Sequence, residues 1–217
     1  AGCIFPVGLM MIVFVGGELF TGDCMMSMAW MQRKIHFADM LRTLVLVYVS
    51  NFVGAALIAF LVAHSGQYDY SSGALGAYTI KVAYGKVHLS FANALVSGIL
   101  CNILVCVAVL MAAAAKDIAG KVLAIFFPIL AFVVSEFEHC VANMYYIPAG
   151  IFASKNAAYA AKALELYNID STQLSSLNWG SFAISNLIPV TIGNIIGGAL
   201  LVGGACFYLH GKALHES

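Results

Sequence analysis

The segment SEFEHCVANM, residues 135–144, contains the side chains of this sequence that are best suited to anion or proton chemistry. It contains two carboxylic acids, Glu136 and Glu138, an imidazole, His139, and an amide, Asn143. A protonated imidazole binds an anion, and a neutral one exchanges a proton with a weak acid. The apolar runs on both sides are typical of a membrane span, where ionisable groups are costly. We therefore predict that His139 faces a substrate path, with helix packing through a hydrogen bond to Asn102 or Asn194 as the alternative, and that Glu138 orients the ring or bonds to backbone amides.

A second polar segment, GGELFTGD at residues 16–23, interrupts the first apolar run and again places an acid, Glu18, in mid-span. Its Thr21 offers a hydroxyl group that can face His139 across a pore. The same hydroxyl group can cap the helix that restarts after the interruption, and the two roles are compatible.

The composition predicts an integral membrane protein. The chain has 217 residues, of which 62% are hydrophobic and 9% are charged, whereas a soluble domain has ~25% charged residues. The net charge of zero gives no basic surface for nucleic acid. The six cysteines include no CxxC pair, so we interpret them as small buried residues. Because the sequence opens inside an apolar run, we expect further native sequence upstream.

Five apolar stretches are long enough to span a bilayer. All should be helical, because lipid offers the backbone no hydrogen-bond partner. We predict long polar loops at residues 64–90 and 154–180. The stretches are residues 2–30 (interrupted at 16–23), 40–63, 91–115, 122–153 (interrupted at 135–143) and 182–209.

The distribution of Lys and Arg predicts that the short basic turns and the C-terminal tail, which holds Lys212, are cytoplasmic. The two interrupted helices then cross in opposite directions, which is typical of an inverted repeat with a substrate path where the interruptions meet. The first repeat would need one more helix before residue 1, so we expect that an N-terminal helix is missing from this chain.

Other candidates keep two interpretations each. Asn102 and Asn194 stand alone in apolar helices, where we favour bonds across helices or to the interrupted segments over a direct pore role. Lys86 is either a solvated lysine at the interface or an anion attractor at the pore mouth. Glycines from Gly193 to Gly204 in the last stretch predict close helix packing. Several bulky residues near the interruptions either pack or close a pore to hydrated ions; they are Phe5, Leu9, Leu19, Phe20 and Phe132.

Four segments together resemble the formate/nitrite transporter family over essentially the whole chain. They are ELFTGD, KVH at 86–88, FEHCVANM and NLIPVTIGNIIGG. The resemblance implies an all-α, aquaporin-like inverted-repeat bundle with two broken helices, in which residues 1–217 form one channel domain with about five of six expected spans. It also implies a homopentamer in the lipid bilayer, with a pore in each subunit.

The resemblance further implies roles for single residues. His139 is similar to the central pore histidine, Thr21 and Asn102 to its usual partners, Asn194 to the last-helix asparagine, and Lys86 to the vestibule lysine. The segment from Glu18 to Asp23 resembles a mobile loop that gates the inner side. The outer constriction would be formed by Phe5, Leu9 and Phe132, and the inner one by Leu19, Phe20 and Val105.

Two features depart from the family pattern. The family's N-terminal amphipathic helix and first span do not appear in residues 1–217, and we expect them upstream of residue 1. Glu136 also stands where the family usually has a small residue, often glycine, and a second carboxylate there could repel anions or disturb the helix end. Cys140 and the general pattern resemble the hydrosulfide branch.

We therefore predict a pH-dependent inner-membrane channel, not an enzyme and without a cofactor, for hydrosulfide, formate or nitrite. The alternative is an aquaporin-like channel for water or small neutral solutes, although no paired NPA loops are present. A haem-bearing membrane enzyme would need axial histidines facing each other within spans, and only His139 lies within one.

Overall fold

The computed structural model describes residues 2–210, apart from the side chain of His210, and its regular elements in that range are all helical. The tail with Lys212 and His215 lies outside the described residues. The helices are α1 (Pro6–Val15), α2 (Phe20–Asp23), α3 (Met26–Met31), α4 (Phe37–Ala63), α5 (Ala74–Val87), α6 (Phe91–Ala114), α7 (Ile118–Val134), α8 (Cys140–Ser154), α9 (Ala157–Tyr167), α10 (Ser171–Ser176) and α11 (Trp179–Leu209).

Each of the five predicted apolar stretches is helical. Within residues 2–210, α4, α6 and α11 are long and apolar enough to cross a membrane, and the bent pair of α1 with α2–α3 makes a fourth candidate span. Helix α7 is a shorter apolar helix. Helix α11 contains two π-helical segments, Phe182–Leu187 and Ile196–Val202, and such segments are frequent at functional sites.

The first predicted interruption is present because glycine ends α1. Helix α1 begins with Pro6 at its first position, where the missing N–H costs no hydrogen bond. It ends at Gly16, which has a left-handed φ of 78° and donates its N–H to the carbonyl of Ile12. Leu19 is extended, and the chain then restarts as α2 with a bend of 67° between the two halves.

The second predicted interruption is also present but shorter than expected. Helix α7 ends in a Schellman turn, in which the N–H of Phe137 donates to the carbonyl of Phe132 and the N–H of Glu136 donates to Val133. Glu136 has a φ of 55°, which costs a residue with a Cβ roughly 1–2 kcal/mol. Helix α8 restarts at Cys140, so Asn143 lies in its first turn and not in the interruption.

The prediction of two long polar loops is wrong, because these segments contain the helices α5, α9 and α10. Helix α5 has too many polar residues to be recognised as a span, but it buries a face of mainly small residues and packs on α8. A methyl group on Gly150 of α8 would collide with Ala83 of α5, so the small residues permit this close approach.

The described chain divides into two compact units. The first contains residues up to 49, residues 95–139 and residues from 190 onward; its core is formed by one hydrophobic cluster between α1, α6 and α7. The second contains residues 50–94 and 140–189, and its helices α5, α8 and α9 pack on one another.

Glycines hold α6 against α11 within the first unit. A Cβ on Gly193 would collide with the carbonyl of Leu95, and one on Gly197 would collide with the carbonyl of Ile99. By contrast, a Cβ on Gly204 would meet open space. The predicted close packing is therefore confirmed at Gly193 and Gly197, and also at Gly198 and Gly203, where a Cβ would collide with Asn102 and Ser27, but not at Gly204.

Candidate functional site

The two interruptions meet at one hydrogen bond in the first unit. Oγ1 of Thr21 lies 2.9 Å from Nε2 of His139, and both residues are buried. Thr21 lies in the first turn of α2, and His139 is the last residue of the second interruption, so the contact joins the two interruptions within the first unit. The predicted contact between Thr21 and His139 is present, and its place on a pore stays a prediction.

This contact is chemically suited to an imidazole that gains and loses a proton. A hydroxyl group is both donor and acceptor, whereas neutral imidazole has one nitrogen of each kind and imidazolium has two donors. Thr21 can therefore donate to an unprotonated Nε2 or accept from a protonated one. The hydrogen bond survives either protonation state of His139.

An asparagine of α6 holds the first interruption in place. Nδ2 of Asn102 donates to the main-chain oxygen of Thr21 at 3.1 Å and to the main-chain oxygen of Asn194 at 2.6 Å. Asn102 is fully buried. Its amide therefore links the interrupted first helix to α6 and α11.

An asparagine of α11 holds the second interruption in a similar way. Nδ2 of Asn194 donates to the main-chain oxygen of Gly98 at 2.8 Å and to that of Glu138 at 3.1 Å. The N–H of Glu138 donates to Oγ of Ser97 at 3.0 Å. The predicted bonds of both asparagines to the interrupted segments are confirmed. Ser97 was not predicted; the only signal was a hydroxyl group in an apolar helix.

An aromatic ring stacks on one face of the imidazole. The ring of Phe132 stacks on His139 with centroids 5.9 Å apart and an interplanar angle of 24°. The ring of Phe5 meets Phe132 edge-on at 5.3 Å. The imidazole thus has a hydroxyl group at its Nε2 edge and an apolar ring on one face.

Five of the six predicted constriction residues belong to the same hydrophobic cluster. Leu9, Val105 and Phe132 are buried in it, and Phe5 and Leu19 pack against it. The structure therefore brings together residues that we had assigned to two separate constrictions.

The sixth predicted constriction residue, Phe20, is buried and packs edge-on against Tyr48 of α4, with ring centroids 4.8 Å apart. Oη of Tyr48 lies 2.9 Å from Oγ1 of Thr191 in α11. Sequence reasoning missed Tyr48, whose signal is a phenol in the middle of an apolar helix. The Tyr48–Thr191 bond fixes the ring on which Phe20 rests.

Lys86 belongs to the second unit and lies in the last turn of α5. Its Nζ lies 5.8 Å from the ring centroid of Tyr146, and its main-chain oxygen accepts a 2.9 Å hydrogen bond from Nδ2 of Asn186. Oδ1 of Asn186 in turn accepts from Nδ2 of Asn143 at 2.7 Å. This buried pair of amides, which the sequence did not predict as a pair, supports the end of α5 that carries Lys86.

Comparisons with known proteins agree with this architecture. A profile of the family described as "Formate/nitrite transporter" matches residues 1–208. The chain is 39% identical over 202 residues to the formate channel FocA of Haemophilus influenzae, covering 93% of this chain and 70% of that protein. It is 40% identical over 221 residues to a probable formate transporter of Methanothermobacter thermautotrophicus, covering 95% and 72%.

A solved structure described as a pentameric formate channel with formate bound has a TM-score of 0.83 to this chain, with 33% sequence identity. The match covers 96% of this chain and 81% of the other. The predicted class, an all-α membrane bundle with two broken helices, is confirmed by these matches and by the helices described above.

Proposed function

Because the chain belongs to the formate/nitrite transporter family, we propose that it is a membrane channel for small monovalent anions of weak acids, with His139 at the centre of its pore. The relatives named above are a formate channel and a probable formate transporter, so formate is the first substrate to test. Nitrite and hydrosulfide share its charge and small size. As a member of a transporter family, the chain is not an enzyme.

The observation that carries this proposal is the hydrogen bond between Thr21 and His139. The imidazole directly precedes α8 in the sequence and bonds to a residue in the first turn of α2. Half-helix starts carry partial positive charge, which favours an anion near them.

The surroundings of His139 support passage as the neutral acid. Phe132 stacks on the imidazole and belongs to a buried apolar cluster with Leu9 and Val105, and an unpaired charge in apolar surroundings is strongly disfavoured. A proton transferred from the His139 imidazolium to the anion leaves a neutral imidazole and a neutral acid, and so removes that charge. The neutral acid then crosses the apolar section, and His139 recovers a proton from the solvent. The bond to Thr21 holds the ring during both steps.

Four other residues support the site. Asn102 and Asn194 fix the two interruptions through the main-chain oxygens of Thr21 and Glu138. Glu138 contributes through its backbone: its N–H and its carbonyl group are both hydrogen-bonded, and these bonds hold the chain directly before His139 in place. Lys86 raises the local anion concentration at the outer mouth of the pore by electrostatic attraction.

We place the protein in the inner membrane with a cytoplasmic C-terminus, because the short turns are richer in Lys and Arg. We also propose a homopentamer, in line with the pentameric formate channel that this chain resembles. Exposed apolar side chains on α4, such as Val49, Val53 and Leu57, supply surface for lipid or for neighbouring subunits.

The test is a flux measurement on purified protein in liposomes. Formate, nitrite, hydrosulfide, chloride and water fluxes are compared with those of empty liposomes. Flux of the weak-acid anions above that of chloride supports the proposal. High water flux without anion flux would instead favour a channel for water or small neutral solutes.

A further inference from the structure

Glu136 occupies a position that is unfavourable for glutamate in two ways. It has a φ of 55° in the Schellman turn after α7, a conformation that favours glycine. Its carboxylate also follows the C-terminus of α7, where the helix dipole disfavours negative charge.

No contact within the described residues compensates for these costs. The side chain of Glu136 is exposed and forms no hydrogen bond or ion pair with any residue in the range 2–210. Neither folding nor packing of the described chain therefore explains a glutamate at this position.

The position of Glu136 in the chain restricts where its carboxylate can lie. It lies between α7 and α8 and directly follows the apolar helix α7, and a carboxylate facing hydrocarbon there would be strongly disfavoured. It is also only three residues before His139, so the two Cα atoms are at most ~11 Å apart. A water-filled approach to His139 satisfies both constraints.

We propose that Glu136 is a specificity-determining residue, whose negative charge lowers the anion concentration in the water-filled approach to His139. This inference rests on the proposed channel function. The Glu136 carboxylate and an anion about 10 Å away repel each other in partly aqueous surroundings. This repulsion lowers the local concentration of the anion on the order of two- to tenfold. The charge thereby favours transport as the neutral acid over leakage of the bare anion.

The experiment measures formate flux driven by a membrane potential, which reports the anion, in liposomes containing wild type, E136Q or E136G. Both variants are expected to raise this flux two- to tenfold at low ionic strength. The increase should shrink at high salt, because screening weakens the repulsion. The control is E165Q, which removes an exposed charge from α9 and should leave the flux unchanged.

The two variants separate the effect of charge from the effect of backbone strain. Glutamine removes the charge and keeps the left-handed strain, whereas glycine removes both, so E136G should also unfold at a higher temperature than E136Q. An increase in flux in E136G but not in E136Q would overturn the proposal, since strain would then be the cause.

Unchanged flux in both variants beside an active wild type would also overturn it. A change in subunit assembly without a change in flux would likewise overturn the proposal, because Glu136 would then act in a contact between subunits. A wild type that carries no anion at all would instead refute the proposed function, and this inference with it.

Discussion

Nδ2 of Asn102 lies 2.6 Å from the main-chain oxygen of Asn194, so two amides from separate apolar helices are directly connected. The same nitrogen reaches Thr21, and the Asn194 side chain reaches Glu138. Through these bonds, α6 and α11 hold both interruptions of the first unit. The position of His139 therefore depends on residues far from it in the sequence.

We first predict that Asn102→Ala destabilises the protein by about 1–3 kcal/mol, because it leaves buried carbonyl groups without a donor. Thermal unfolding in detergent checks the stability, and formate flux should fall with it. Asn93→Ala is the matched control, since Asn93 is exposed at the start of the same helix. Equal stability of the Asn102 and Asn93 variants would contradict the role of the amide network.

A second prediction concerns the hydroxyl group of Thr21. Thr21→Val keeps the shape of the side chain but removes the bond to His139, so formate flux and its pH dependence should both change. Thr21→Ser retains the hydroxyl group and should restore both. If the Thr21→Val and Thr21→Ser variants gave the same formate flux, the hydrogen bond to His139 would have no part in transport.

Third, we expect Phe132→Ala to open the apolar cluster beside His139. The substitution removes the contacts of the Phe132 ring with Phe5 and His139. It should lower the free energy of unfolding by about 3–5 kcal/mol. Chloride flux, measured in liposomes, should rise relative to formate flux. Phe127→Ala is the control, because Phe127 lies on the same helix but is 62% exposed. A chloride flux of the same size in the Phe127→Ala control would contradict the role of Phe132 in excluding bare anions.

The fourth prediction tests Lys86 as an anion attractor. Lys86→Gln should lower formate flux at low ionic strength, and the difference from wild type should shrink at high salt as the charge is screened. Lys81→Gln provides the comparison, because Lys81 lies on the same helix over the ring of Tyr167. A deficit that does not change with salt would indicate a structural role for Lys86.

A fifth prediction addresses helix packing. Gly197→Ala places a methyl group against the carbonyl of Ile99, and such overpacking should cost about 1–3 kcal/mol. Gly204→Ala meets open space and should be neutral. Thermal unfolding of the two variants side by side makes the comparison, and similar unfolding temperatures would argue against close packing of α6 on α11.

Much of this fold could be predicted from the sequence, because apolar length and glycine placement act locally. The five apolar stretches and both interruptions followed from hydropathy, and the GG at residues 16–17 marked the end of α1. Helix α5 could not be predicted in this way, since its burial depends on small residues fitting against α8.

The candidate site could be predicted in part. Thr21, His139 and the two asparagines stood out as polar groups in apolar helices, although Thr21 and His139 are 118 residues apart in the sequence. Ser97 and Tyr48 did not stand out, because a hydroxyl group in an apolar helix is common and its partner is set by packing. The left-handed conformation of Glu136 could not be predicted from its residue type, which disfavours it.

The most direct test of the central claim is formate flux across a range of pH for wild type and His139→Ala in liposomes. We predict that the variant folds and assembles but loses the pH-dependent flux, because no group remains to exchange a proton with the anion. Flux in the variant with unchanged rate, selectivity and pH dependence would contradict the assignment of His139 as the central pore residue.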